Sequence, residues 1–192
     1  MKAFFDSLGV LTEAELRQLD GLTTPRQLRK GEFLIRAGHV CAELVFVRGG
    51  LLRSFHATAD GTEMTYCITF PGRLMTALSS LITQRPTEEN IQALVPTELE
   101  VLRRPDLEQL YATSPGWTRV GKLLTEQQYV ELEERIFSLQ KLSARQRYQQ
   151  LLTQHPAYLR HVPLQHLASY LNVTPRHLSR LRRELAFQTF VR

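Results

Sequence analysis

The feature that most constrains this sequence is a change of period near residue 114. Before it, short apolar runs alternate with glycines; after it, apolar residues recur at the three- and four-residue intervals of helices. The early runs are Phe33–Ile35, Leu44–Val47, Leu51–Phe55, Met64–Phe70, Ile91–Val95 and Leu99–Leu102. Gly31, Gly38, Gly49 with Gly50, Gly61 and Gly72 punctuate them, and Ala59-Asp60-Gly61-Thr62 reads as a hairpin turn. Short strands at regular spacing with turn residues between them predict an all-β roll or barrel. Ahead of it, Thr12 followed three residues later by Glu15 is a capping box that opens a short helix within Leu8–Leu22.

In the second regime, Ser114 as N-cap and Pro115 at the first helical position begin a helix that runs to about Leu142. One apolar stripe is Trp117, Val120, Leu124, Leu132, Ile136 and Leu139; a second, at sevenfold spacing, is Leu123, Val130 and Phe137. A helix of about 27 residues reaches roughly 40 Å, longer than one small roll covers. One stripe is therefore expected to meet the roll and the other a partner helix, and the stripe from Trp117 to Leu139 is assigned to a homodimer seam. Ser143 with Gln146 is a further capping box, and the helix it opens stops before Pro156. The expected organisation is a roll over 1–113, a dimerisation helix over 114–142 and a small helical domain over 143–192.

Charge separates these parts. The 192-residue chain has a net charge of +5, but residues 143–192 hold eight arginines and a single acid, Glu184, while residues 1–142 sum to −2. A small basic domain on a mildly acidic larger one is the footprint of a nucleic-acid module attached to a sensor. Cys41 and Cys67 lie far apart without metal-ligand spacing, so both read as core residues and no metal or other cofactor is expected. With no apolar run long enough to span a membrane and no signal-like start, a cytoplasmic location is expected.

The basic segment also carries the chemistry. Leu164, Leu167, Ala168 and Leu171 give one amphipathic helix; Asn172 suits a left-handed turn residue; Val173 plugs the corner; Thr174 caps a second helix begun by Pro175. On that second helix Leu178, Leu181 and Leu185 fall on one side and Arg176, Arg180 and Arg183 almost opposite, with Ser179 beside them. Three guanidiniums on one helix face suit guanine edges and phosphates in the major groove of double-stranded DNA. Arg145 and Arg147, near the domain entrance, would at most contact phosphates.

The stretches Leu28–Gly38, Glu43–Arg53, the long helix, and Leu167-Ala-Ser-Tyr-Leu-Asn-Val-Thr-Pro-Arg-His-Leu-Ser-Arg180 together resemble the Crp/Fnr family of transcription regulators. The resemblance implies an α+β architecture: a double-stranded β-roll like a cyclic-nucleotide-binding domain, a central helix forming a parallel dimer, and a C-terminal helix-turn-helix, here reduced in its wing because only Ala186–Arg192 follow the second helix. It implies Arg180 as the guanine-reading residue, with Gln165, Thr174, Arg176, His177, Ser179 and Arg183 as further DNA contacts, a two-fold symmetric operator, and RNA polymerase as a candidate partner.

The effector site departs from the nucleotide-binding members. Its corresponding positions are Gly72, Arg73, Thr87, Glu88, Glu89, Val130 and Glu131. Gly72 is followed by Arg73 rather than Glu, two carboxylates stand where a phosphate-binding arginine is expected, and Val130 and Glu131 offer no hydroxyl to an adenine. Cyclic AMP is therefore not the expected effector, and the effector is left open. The rival classes are a cupin-like enzyme, for which the roll lacks a His-x-His metal motif, and a cyclic-nucleotide module serving a partner enzyme, which leaves the basic C-terminal domain without a purpose. No catalytic constellation is visible, so no enzymatic activity is expected.

Overall fold

A computed structural model of the chain describes residues 1–190, and for 186–190 the helical backbone alone. Two short helices, α1 (Lys2–Ser7) and α2 (Glu13–Arg17), precede the strands β1 (Thr23–Leu28), β2 (Phe33–Ile35), β3 (Glu43–Gly49), β4 (Leu52–Ala57), β5 (Glu63–Thr69) and β6 (Leu74–Met75). Helix α3 (Leu78–Thr83) leads to β7 (Asn90–Ala93) and β8 (Thr97–Arg103). Six further helices complete the described chain: α4 (Arg104–Thr113), α5 (Pro115–Lys141), α6 (Ala144–Gln154), α7 (Pro156–His161), α8 (Leu164–Tyr170) and α9 (Pro175–Phe190).

The strands form two four-stranded sheets, in the orders β1-β8-β3-β6 and β2-β7-β4-β5. All six apolar runs of the sequence are strands. The two strands without a run are edge strands: β1 carries Pro25, which a paired interior strand would not tolerate, and β6 has only two residues. Gly50 has φ 91°, and a Cβ there would lie 2.6 Å from the carbonyl oxygen of Pro96, so the turn into β4 requires glycine twice over.

The chain divides into two compact units, Met1–His56 with Cys67–Gln128, and Ala57–Tyr66 with Tyr129–Arg192. Helix α5 contributes to both, and the tip of the β4–β5 hairpin groups with the C-terminal helices. In the first unit the core comprises Val45, Val47, Leu52, Ile91, Leu99, Val101 and Leu102, joined by Phe5 and Trp117. Trp117 meets the edge of Phe5 at a ring-centroid distance of 4.9 Å, and its indole N–H donates to the carbonyl of Glu15 at 3.2 Å. The Glu15 carboxylate closes the capping box with Thr12 and accepts from the Ser114 hydroxyl at 2.5 Å, which holds its pKa down to about 2.

That packing corrects the seam read from the sequence. Trp117 is 0% exposed and Val120 1%, both inside the first unit, so neither has surface left for a partner. The physical reason is Phe5 and the N-terminal helices, whose cover of α5 the period of α5 cannot reveal.

The second unit holds the small helical domain. Ser143 and Gln146 make the reciprocal capping box that opens α6. Helix α9 continues to Phe190. Val191 and Arg192 lie outside the described residues.

Candidate nucleic-acid interface

Helices α8 and α9 are joined by a turn built on one unusual backbone conformation. Asn172 has φ 53°, and with it in place the Val173 N–H donates to the Ala168 carbonyl at 3.0 Å. Asn tolerates this region better than most residues because its short amide side chain can bond locally. Leu167 and Ala168 are fully buried, and a side chain no larger than a methyl at 168 lets the helices cross closely. The Thr174 hydroxyl then accepts from the His177 N–H at 3.2 Å, capping α9.

On α9, Leu178 and Leu181 are buried and Leu185 half-buried, while Arg176, Arg180 and Arg183 are exposed. Ser179 and His177 are half-buried at the flanks of the arginine face, and Thr174 and Gln165 are exposed. The helix therefore presents three cations along one side and anchors itself by the other. The Arg180 Nε lies 3.6 Å from Glu184 Oε1, an exposed i, i+4 ion pair. Such a pair is worth about 0–1 kcal/mol, so a stronger bidentate acceptor would displace it.

Arg147, expected at most to touch phosphates, is used internally. Its Nε donates to the Leu171 carbonyl at 3.1 Å and its Nη1 to the Leu142 carbonyl at 2.5 Å. Burial and the neighbouring Arg135 both lower its pKa. Arg135 was not singled out in the sequence. It donates to the Tyr170 carbonyl and lies 3.9 Å over the Tyr170 ring, which in turn packs on Tyr158 at 5.3 Å. Two guanidiniums thus close the C-terminal carbonyls of α8, where the helix dipole favours positive charge.

In the first unit, the positions read as an effector site differ in exposure. Gly72 and Arg73 form an exposed turn, Thr87 is buried, and Glu88 is exposed. Only Glu89 turns inward, accepting from the buried Ser54 hydroxyl, and burial raises its pKa despite that bond. The expectation that both carboxylates face one site is corrected accordingly. The interior also contains Arg53, 1% exposed, with its guanidinium 4.1 Å over the Phe55 ring, a buried cation that the apolar-run pattern did not single out. His39 and His56 are exposed, and among the described residues no group of three or more His, Cys, Asp or Glu could hold a metal ion.

Residues 25–114 match the family model of the cyclic nucleotide-binding domain. No curated protein sequence matches the chain. Solved structures do: FixK2 from Bradyrhizobium japonicum aligns over 87% of this chain and 86% of its own at 19% identity, with a TM-score of 0.77. A regulator of the Crp/Fnr family from Eubacterium rectale aligns over 97% and 88% at 16% identity, TM-score 0.74. The c-di-GMP-responsive regulator CLP of Xanthomonas campestris aligns over 93% of both chains at 16% identity, TM-score 0.72.

The chain has the Crp/Fnr regulator fold.

Within that fold, the remaining surface of α5 is informative. Leu124 packs partly against the core of the first unit; Leu132 and Leu139 are half-buried; Ile136 is exposed. The second stripe of this Crp/Fnr-like chain is the open one: Leu123, Val130 and Phe137 are all exposed, as is Tyr129, and Glu131 beside them is exposed too. No helix among the described residues is long and apolar enough to cross a membrane.

Proposed function

We propose that this protein is a transcription regulator of the Crp/Fnr family that binds double-stranded DNA as a homodimer, places α9 in the major groove of each half of a two-fold symmetric operator, and works without cyclic AMP. The observation that carries the reading is the division of α9 into a buried leucine side and an exposed arginine side, on a helix whose N-terminus is fixed by the Asn172 turn. Arg180 is the base-reading residue, with Ser179, His177, Thr174 and Gln165 contacting bases or phosphates around it and Arg176 and Arg183 gripping the backbone. Dimerisation proceeds through the exposed part of α5, with Leu123, Val130, Ile136 and Phe137 in the seam. Independence from cyclic AMP is supported by Thr87, a buried neutral residue where a phosphate-binding arginine is expected, and by the inward carboxyl of Glu89. The roll has a regulatory rather than catalytic role, its effector is another molecule or none, RNA polymerase is the expected further partner, and the location is the cytoplasm.

The test is a binding titration with genomic DNA fragments at several salt concentrations. A subset of fragments should bind far more tightly than the rest, and the logarithm of affinity should fall linearly with the logarithm of salt for all of them. Uniform weak binding with no preferred fragment would refute a sequence-specific regulator.

A further inference from the structure

The tip of the β4–β5 hairpin belongs to the DNA-binding unit, and one side chain makes the connection. The Ser169 hydroxyl, on α8, accepts from the Thr65 N–H at 2.8 Å and donates to the Glu63 carbonyl at 2.7 Å. Strand β5 is the edge of its sheet, and an N–H and a carbonyl two residues apart are the pair that a neighbouring strand would use. Ser169 stands in for that strand. The next two residues, Tyr170 and the C-cap Leu171, are held by other elements, Tyr170 by Arg135 of α5 and Leu171 by Arg147 of α6. Three successive residues at the C-terminal end of α8 are therefore tied to a hairpin, to the long helix and to the helix that opens the domain.

We infer that Ser169 is a positioning residue for DNA recognition: through it the hairpin tip fixes α8, and with α8 the direction in which α9 points. This rests on the proposed role of α9. The clasp covers none of the recognition surface, since Arg176, Arg180 and Arg183 stay exposed while it is closed, so it does not act by blocking DNA. It acts on pose. A specific site demands that both recognition helices of a dimer lie over their half-sites at once, whereas phosphate contacts to random DNA tolerate a loosely held helix. Loss of the clasp lowers the fraction of molecules in the competent pose, and apparent affinity for the specific site falls with that fraction.

The experiment compares the full-length parent, Ser169→Ala and Ser169→Thr in three measurements: amide exchange at Thr65, melting temperature, and affinity for a selected operator and for random DNA. In Ser169→Ala, Thr65 should exchange faster while the melting temperature falls by only a few degrees, operator affinity should fall by about three- to tenfold, the size expected for losing two modest hydrogen bonds, and random-DNA affinity should hold. Ser169→Thr, which keeps the hydroxyl, should restore both exchange and affinity. Faster exchange with unchanged operator affinity would overturn the inference, as would an equal loss on operator and random DNA. A gain in operator affinity would also overturn it, because the clasp would then hold the domain off its DNA pose. A parent that prefers no sequence at all would refute the role of α9 itself, and the inference with it.

Discussion

At the scale of single residues, the roll and the C-terminal helical unit each contain a group held against its own preference. Glu89 is half-buried with the Ser54 hydroxyl as its donor, and the cost of burying its charge raises its pKa. A carboxyl whose folded pKa exceeds its unfolded value stabilises the fold at low pH, and that contribution is lost as pH rises through the folded pKa. Glu89→Gln should therefore melt higher than the parent at pH 7, with the gap closing below about pH 4, where the unfolded chain's carboxyls are protonated. Thermal melts of the two proteins at both pH values check this; an equal or lower melting point for the variant at pH 7 would contradict it. Asn172 is the second case. At φ 53°, Ala should destabilise the domain by roughly 1–2 kcal/mol and Gly should not, measured by urea unfolding.

At the scale of elements, legibility in the sequence followed how much of each element's environment is local. The α8–α9 pair was readable in full because its leucines, Asn172, Thr174 and Pro175 all lie within 24 residues and specify each other's geometry. Strands with a buried face were readable as apolar runs. Strand β1 was not, since Thr-Thr-Pro-Arg-Gln-Leu has almost no apolar pattern and exists because β8 supplies its partner. Helix α4 carries a weak signal of its own: Pro105 and Asp106 in its first turn, with Leu107 and Leu110 three apart and both buried. The two stripes of α5 were legible, but their order was not, because Phe5 and Glu15, more than 90 residues away in sequence, claim Trp117. The dimer prediction therefore moves to the open stripe. Val130→Glu with Phe137→Glu should yield monomers by light scattering, since two like charges per helix would face their copies across the seam. A dimer that survives both substitutions would place the interface elsewhere. The exposure of Glu88 and the internal hydrogen bonds of Arg147 are illegible in the sequence for the related reason that charge alone does not say which way a side chain points.

At the scale of the whole molecule, the account depends on an uneven charge, a helix with an open apolar stripe, and one arginine on a helix that faces solvent. Two recognition helices in a symmetric dimer would meet half-sites about one turn of DNA apart, roughly 34–36 Å. The measurement that tests this most directly is selection of bound sequences from a random DNA library with the parent and with Arg180→Ala. The parent should return a two-fold symmetric motif. The variant should lose roughly 1–3 kcal/mol at that motif and lose its preference at one mirror-related pair of positions, while binding to random DNA falls much less. If the parent returns no symmetric motif, or if the variant returns the same motif with all DNA equally weakened, Arg180 does not read a base and the account of α9 fails.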